Sequence, residues 1–332
     1  MSATDEMQES TDEASLQLDA DGNLRHLLTL KGLDKALLTD ILDDAEGYLT
    51  TPGSLPARSQ SLAGRTVANL FFEPSTRTRA SFDLAGKRLG ADVLNLDVNT
   101  SSRKKGESIL DTIYTLEAMQ VDVMVVRDAS AGVPANIARN VQEHVSILNA
   151  GEAEVSHPTQ GLLDLLTIRQ HKQHFENLTI AIVGDIRHSR VAMSASHGLA
   201  TLGVGELRLI SPPSLAPDEE SLPGSVILDN LEEGLAGADV VMALRIQRER
   251  IGNLEGIPAI DQYFANFGIS EERLKNAAPD VIVMHPGPMN RGIEIESVVA
   301  DGSSSVITQQ VTNGVAVRMA VLDRVSRIMA TR

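Results

Sequence analysis

The sequence contains no cysteine and no tryptophan, and aromatic residues make up only 3% of it. The first absence excludes disulfides, thiolate catalysis and cysteine-ligated metals, and it fits a reducing compartment. The shortage of aromatics leaves the core to Leu, Ile, Val, Ala and Met and offers no platforms for base stacking. Positive charge is scarce as well: 29 Lys and Arg stand against 45 Asp and Glu, a net charge of −16 with a pI near 4.9. Such a chain is not expected to bind DNA, RNA or an acidic membrane surface. Its apolar runs fall well short of the ~20 residues that span a bilayer. The acidic N-terminus is unlike a secretory signal or a transit peptide. A cytoplasmic enzyme or binding protein is the expectation.

What is present is organised as two alternating series. Residues 1–24 hold seven acidic residues and no Lys or Arg, and read as a mobile tail or, alternatively, a docking arm. Beyond them, short apolar runs fall at Thr66 to Phe72, Val93 to Val98, Val121 to Val126 and Val145 to Leu148, with helical patterns between them. A second set follows at Leu178 to Val183, Leu207 to Ile210, Asp239 to Leu244 and Asp280 to Met284. The spacing predicts two α/β domains, each a mostly parallel sheet flanked by helices, with a hinge near Ser156-His157-Pro158. A last amphipathic helix over Thr312 to Met329 is compatible with either domain.

In open α/β sheets, ligands bind outside the carboxyl ends of the strands. The most informative such exit is Glu73-Pro-Ser-Thr-Arg-Thr-Arg79, between a predicted strand and a predicted helix. Unpaired N–H groups and the helix dipole favour an anion there. Ser75, Thr76 and Thr78 add hydroxyls, and Arg77 and Arg79 add guanidiniums. Helix capping would need one hydroxyl and leaves the alternating Thr-Arg-Thr-Arg unexplained, so a phosphate-like anion is the expectation. Arg127, ending Val-Asp-Val-Met-Val-Val, reads as a surface charge or a second clamp on that anion. His157 opens a helix with Pro158-Thr159-Gln160, and either caps it or donates to a carbonyl oxygen. Ser101-Ser-Arg-Lys-Lys105-Gly106 is a solvated loop or one that closes over a ligand.

In the second series Val183-Gly184-Asp185 lacks the G-x-G-x-x-G fingerprint, and no P-loop, H-E-x-x-H or G-x-S-x-G pattern occurs. No nucleotide cofactor and no metal are therefore expected. Arg190, Arg245 and Arg250 remain as cations without an anion, and guanidinium pairs with carboxylate in bidentate fashion. The second domain thus reads as equipped for a dicarboxylate.

Taken together these motifs resemble the aspartate/ornithine carbamoyltransferases, and within them the catalytic chains that use aspartate. Residues 73–79 are similar to the family's carbamoyl phosphate loop. Ser-x-x-x-Lys-Gly-Glu at 101–107, His-Pro-Thr-Gln at 157–160, Gly184-Asp185 through Arg190, Arg-x-Gln-x-Glu-Arg at 245–250 and His-Pro-x-Pro at 285–288 follow in the family's order. The match runs from about Leu27 to the C-terminus, and the absence of Cys from both His-Pro boxes disfavours ornithine. The resemblance implies transfer of a carbamoyl group from carbamoyl phosphate to L-aspartate, the committed step of pyrimidine synthesis. It implies a carbamoyl phosphate domain at 25–157 plus 309–332, with the C-terminal helix crossing back, and an aspartate domain at 158–308.

By the same resemblance Ser75, Thr76, Arg77, Thr78 and Arg127 would bind phosphate, and Thr78, Arg127 and His157 would polarise the carbonyl. Gln160 and the backbone carbonyls of Gly287 and Pro288 would hold the carbamoyl NH₂. Arg190, Arg245 and Gln247 would hold aspartate, while Ser101 and Lys105 would reach into a neighbouring subunit's site in a homotrimer. Bare trimers and assemblies with regulatory or dihydroorotase-like chains both occur in the family. An ornithine or other amine carbamoyltransferase and a non-catalytic anion sensor are the competing readings.

Overall fold

The computed structural model describes residues 15–51, 53–96, 108–218, 220–247 and 257–330. Ser101, Lys105 and Arg250 lie outside the described residues, as do residues 1–14 of the acidic segment. The chain divides into two compact units, Met1–Leu162 with Asn313–Arg332, and Leu163–Thr312.

The first unit contains α1 (Lys35–Glu46), β1 (Thr66–Phe71), α2 (Thr76–Arg88), β2 (Asp92–Leu96), α3 (Ile109–Ala118), β3 (Val123–Asp128), α4 (Val133–Asn140) and β4 (Ser146–Glu152). Its strands pair in parallel in the order β2-β1-β3-β4. β3 is buried along its whole length, the continuous burial expected of a parallel strand covered on both faces. Local signals fix the helices: Asp34 accepts from the Leu37 N–H at 2.7 Å, and Ser108 and Asp111 form a capping box at the start of α3. The core is aliphatic, with Ala68, Leu70, Met124, Val126 and Ile147 packed together beneath Ile113 and Leu116.

Residues 15–24 are not the mobile tail expected from composition. Gln17 and Leu24 are buried, Leu18 bridges Leu24, and Leu27 bridges Leu148 as a short addition beside β4. An apolar anchor and one buried amide outweigh the surrounding acidity. The adjoining His26 is buried, and its Nδ1 accepts from the Ile147 N–H at 2.9 Å. Burial, and secondarily the nearby Arg25 charge, hold the His26 pKa down at about 3. An unfolded histidine titrates near 6.5, so below that pH the unfolded chain gains a proton that the folded chain refuses. Stability is therefore fully present above about pH 6.5 and falls by about 1.4 kcal/mol per pH unit toward pH 3. Urea denaturation of His26→Asn, which keeps an acceptor for Ile147, is expected to lose about 2 kcal/mol less than wild type between pH 7 and pH 5. Parallel pH profiles would refute the assignment.

α5 (Pro158–Lys172) carries the chain into the second unit. There follow β5 (Thr179–Val183), α6 (Arg190–Leu202), β6 (Glu206–Ile210), β7 (Val226–Leu228), α7 (Leu231–Leu235), β8 (Val240–Ala243), α8 (Ile260–Phe267), α9 (Glu271–Leu274), β9 (Ile282–Met284) and α10 (Ser297–Ala300). The sheet is again parallel, ordered β7-β6-β5-β8-β9. β7 was not among the expected strands. It is three residues long on the sheet edge and only partly buried, so it lacks the apolar run that marks the others. α11 (Ile307–Ala330) begins in the second unit and returns the chain to the first. Strand order reverses between β1 and β3 in one sheet and between β5 and β8 in the other. These are the points where open parallel sheets form ligand crevices.

Candidate active site

In the first unit, the exits of β1, β3 and β4 share one sheet edge, because these strands are neighbours running the same way. That topology brings the 73–79 turn, Arg127 and the approach to His157 to the same edge. Phe71 is in register with Arg127, and the Phe72 N–H donates to the Arg127 carbonyl at 2.8 Å. The turn therefore leaves β1 directly alongside Arg127.

Ser75 occupies the N-cap position of α2, yet its side chain makes no capping hydrogen bond. The first turn holds no acidic residue and carries Arg77 instead, the wrong sign for the positive end of a helix dipole. Burial also pushes the Arg77 pKa below its usual value. Uncapped N–H groups, a hydroxyl not used for capping and a partly desolvated cation are the elements of an anion cradle. Thr78 is buried behind it, Thr76 is exposed, and Arg77, partly desolvated, keeps part of its surface open to solvent.

Arg127 is buried; its Nη1 donates to the Ala150 carbonyl at 3.0 Å and its Nη2 to Glu73 at 3.2 Å. The guanidinium is thus fixed between β1 and β4. His157 is buried immediately before Pro158, and its carbonyl accepts from the Gln160 and Gly161 N–H groups at 2.9 and 3.1 Å. Proline at the first helical position needs no partner for its nitrogen, which sets the start of α5. Gln160 lies one turn on and is buried.

In the second unit, Arg190, the 244–247 segment and Gly287-Pro288 leave the neighbouring strands β5, β8 and β9 at one edge. Arg190 is buried at the first position of α6, following Ser189, whose hydroxyl accepts from the Ala192 N–H at 3.2 Å. Asp185 is completely buried. One carboxylate oxygen takes the His188 N–H at 3.2 Å and lies 2.8 Å from His188 Nδ1; the other takes the Gln247 N–H at 3.0 Å. Gln247 Nε2 in turn donates to the His188 carbonyl at 2.9 Å. Gly184, at φ +138°, lets the two exits close up: a Cβ there would sit 2.4 Å from the Leu244 carbonyl oxygen.

The 285–288 turn has its own support. His285 Nδ1 accepts from the Gly287 N–H at 2.8 Å, which leaves the proton on Nε2 to face Glu294 at 3.1 Å. Glu294 also accepts from the Asn290 N–H. The His285 N–H donates to Gln310, and Gln310 donates to Asp164 at 2.8 Å. All four side chains of this chain of contacts are buried. Gly287 itself has φ +61°, a left-handed conformation that glycine adopts without strain.

Among the residues singled out from sequence, Ser75, Thr76, Arg77, Thr78, Arg127, His157 and Gln160 fall in the first unit, and Arg190, Arg245, Gln247, Gly287 and Pro288 in the second. Asp185, His188, Glu294, Gln310 and Asp164 were given no role in the site. Asp185 carried a signal in the Gly-Asp pair after a strand; the others pair over long or unmarked separations. Among the described residues no cluster of potential metal ligands occurs, and no described helix is long and apolar enough to cross a membrane.

Two family models match, the aspartate/ornithine carbamoyltransferase carbamoyl-P binding domain over residues 25–170 and the Asp/Orn binding domain over 176–325. Among solved structures, aspartate transcarbamoylase from Trypanosoma cruzi in complex with carbamoyl aspartate and phosphate is 30% identical. The match covers 92% of this chain and 98% of that one, with a TM-score of 0.82. The same enzyme in complex with carbamoyl phosphate matches equally, again at 30% identity and TM-score 0.82, over 93% and 98% of the two chains. Ornithine carbamoyltransferase from Thermus thermophilus is 25% identical over 91% of this chain and 98% of its own, at TM-score 0.80.

Proposed function

The chain belongs to the aspartate/ornithine carbamoyltransferase family, and from that premise we propose that it carbamoylates the amine of L-aspartate, releasing phosphate. The observation that carries this choice of acceptor is the charge of the second half-site. Its strand exits present Arg190, Arg245 and Gln247. The carboxylate beside Gln247, Asp185, is buried and already engaged by His188 and Gln247. A second carboxylate on the acceptor suits such a surface, whereas the ammonium of an ornithine side chain would meet like charge. The solved relative from T. cruzi with carbamoyl phosphate and aspartate bound supports the same reading.

In this reading the 73–79 turn and Arg127 hold the phosphate, and Thr78, Arg127 and His157 donate toward the carbonyl oxygen. Gln160 and the carbonyls of Gly287 and Pro288 accept from the carbamoyl NH₂. The amine lone pair attacks the carbonyl carbon, negative charge collects on its oxygen, and the bond to the phosphate oxygen breaks. The departing phosphate takes the proton shed by the amine. Positioning and charge stabilisation supply the rate, without a dedicated side-chain base. Ser101 and Lys105 complete the site from a neighbouring subunit of a homotrimer.

Assay of the purified chain with carbamoyl phosphate and either amine tests the acceptor: carbamoyl aspartate should form, and ornithine should give at most a trace. Preferential citrulline formation would overturn the choice. Arg245→Ala is expected to raise KM for aspartate by about 10- to 100-fold, the loss of one charged contact of about 1.5–3 kcal/mol. KM for carbamoyl phosphate should stay within about threefold. Unchanged aspartate saturation would remove Arg245 from the site.

A further inference from the structure

We propose that Gln17 is a positioning residue for the carbamoyl phosphate half-site, acting from a strap that precedes the family's matched region, which begins at residue 25. The inference rests on the carbamoyltransferase reading given above. Gln17 is fully buried, a polar side chain set between Leu16 and Leu18 in an otherwise acidic segment. Its side-chain oxygen accepts from the N–H groups of Leu28 at 2.6 Å and Thr29 at 2.9 Å. Those two donors set the orientation of the amide, since the opposite flip would aim donor at donor. Its backbone carbonyl accepts from Arg25 at 2.7 Å and His26 at 3.0 Å. The remaining N–H of that stretch, on Leu27, donates to the Ile147 carbonyl at 2.9 Å. Every backbone donor from 25 to 29 is therefore held either by Gln17 or by β4.

The held segment is what β4 and its exit are built against. The Asn149 N–H donates to the Leu27 carbonyl at 2.8 Å. The Leu28 carbonyl accepts from Asn149 Nδ2 at 2.8 Å and from the Ser156 hydroxyl at 3.2 Å. Asn149 also donates to Glu152 at 2.8 Å and accepts from the Gly151 N–H at 2.9 Å, which shapes the backbone around Ala150. The Ala150 carbonyl is the anchor of Arg127, and Ser156 is the residue before His157. One amide thus sets the placement of two groups that face carbamoyl phosphate, without touching it. Losing its acceptor would strand the buried Leu28 donor and let residues 28–29 drift.

The test is steady-state kinetics on the full chain carrying Gln17→Met, which keeps the volume and removes the acceptor, and Gln17→Glu, which keeps the acceptor pair. Gln17→Met is expected to raise KM for carbamoyl phosphate about tenfold with kcat changed less than threefold, and Gln17→Glu to restore most of that loss. A merely structural role would lower the melting temperature without this split. Folded Gln17→Met with wild-type KM for carbamoyl phosphate overturns the proposal. Should Gln17→Met not fold, Ser156→Ala carries the test through the other end of the same link: a severalfold rise in that KM supports it, and no change overturns it. A wild-type chain that makes no carbamoylated product would instead defeat the functional reading itself.

Discussion

Arg127→Ala is expected to lower kcat/KM for carbamoyl phosphate about a thousandfold while the protein still folds. A unit-charge contact near 4 Å is worth about 4 kcal/mol at an effective dielectric near 20, before desolvation is counted. The guanidinium is already stripped of most of its water by burial and held by Ala150 and Glu73. It reaches an incoming anion with little left to lose, so most of the interaction survives as net stabilisation. Removal also leaves Glu73 without this partner at the rim of the same turn, and its negative charge then opposes the phosphate. Arg127→Lys should recover little, because an ammonium cannot reproduce the planar fork that spans two strands. Measured kcat/KM within about tenfold of wild type, in a variant shown to be folded by circular dichroism, would exclude Arg127 from substrate contact.

The second large effect is expected at a residue with no proposed substrate contact. Asp185→Ala should reduce kcat/KM for aspartate by about two to three orders of magnitude, equivalent to about 3–4 kcal/mol. The buried carboxylate ties the exit of β5 to the exit of β8 through His188 and Gln247. Without it, the Gln247 and His188 N–H groups lose a charged acceptor, at about 1.5–3 kcal/mol each before relaxation. Both loops then sample conformations in which Arg190, Arg245 and Gln247 no longer present a single surface. Binding of inorganic phosphate, measured by calorimetry, should remain within about twofold of wild type, because the groups proposed for it are built on the other unit. Loss of phosphate binding along with aspartate saturation would mean general unfolding and would refute a positioning role.

The strands most legible in sequence were the long apolar ones. Val123–Asp128 is buried end to end and reads as one uninterrupted run up to Arg127. β7 did not read, because three edge residues, one exposed and two partly buried, carry neither alternation nor length. The placing of the 73–79 turn and Arg127 at the exits of neighbouring strands followed from a general rule about parallel strands, applied before their order was known. The supporting contacts had no such rule. Gln310 meets Asp164 across 146 positions, Asn149 meets Leu28 across 121, and Gln247 meets Asp185 across 62. A glutamine or aspartate in such a pair looks like any other polar residue until the sheet order is given. Residues 15–24 misled for the opposite reason: composition averages over a segment, and a single buried side chain such as Gln17 decides its conformation.

The near-contact of Gly184 with the Leu244 carbonyl has a consequence for which acids can be accepted. With no side chain to act as a spacer and Asp185 holding His188 to Gln247, the exits that carry Arg190 and Arg245 would form a caliper of set width. In the proposed aspartate half-site, a four-carbon diacid that fitted those jaws would not be exchanged for its five-carbon homologue by letting one arm slide. Length selectivity would then be written into a glycine that has no polar side chain and never meets the substrate.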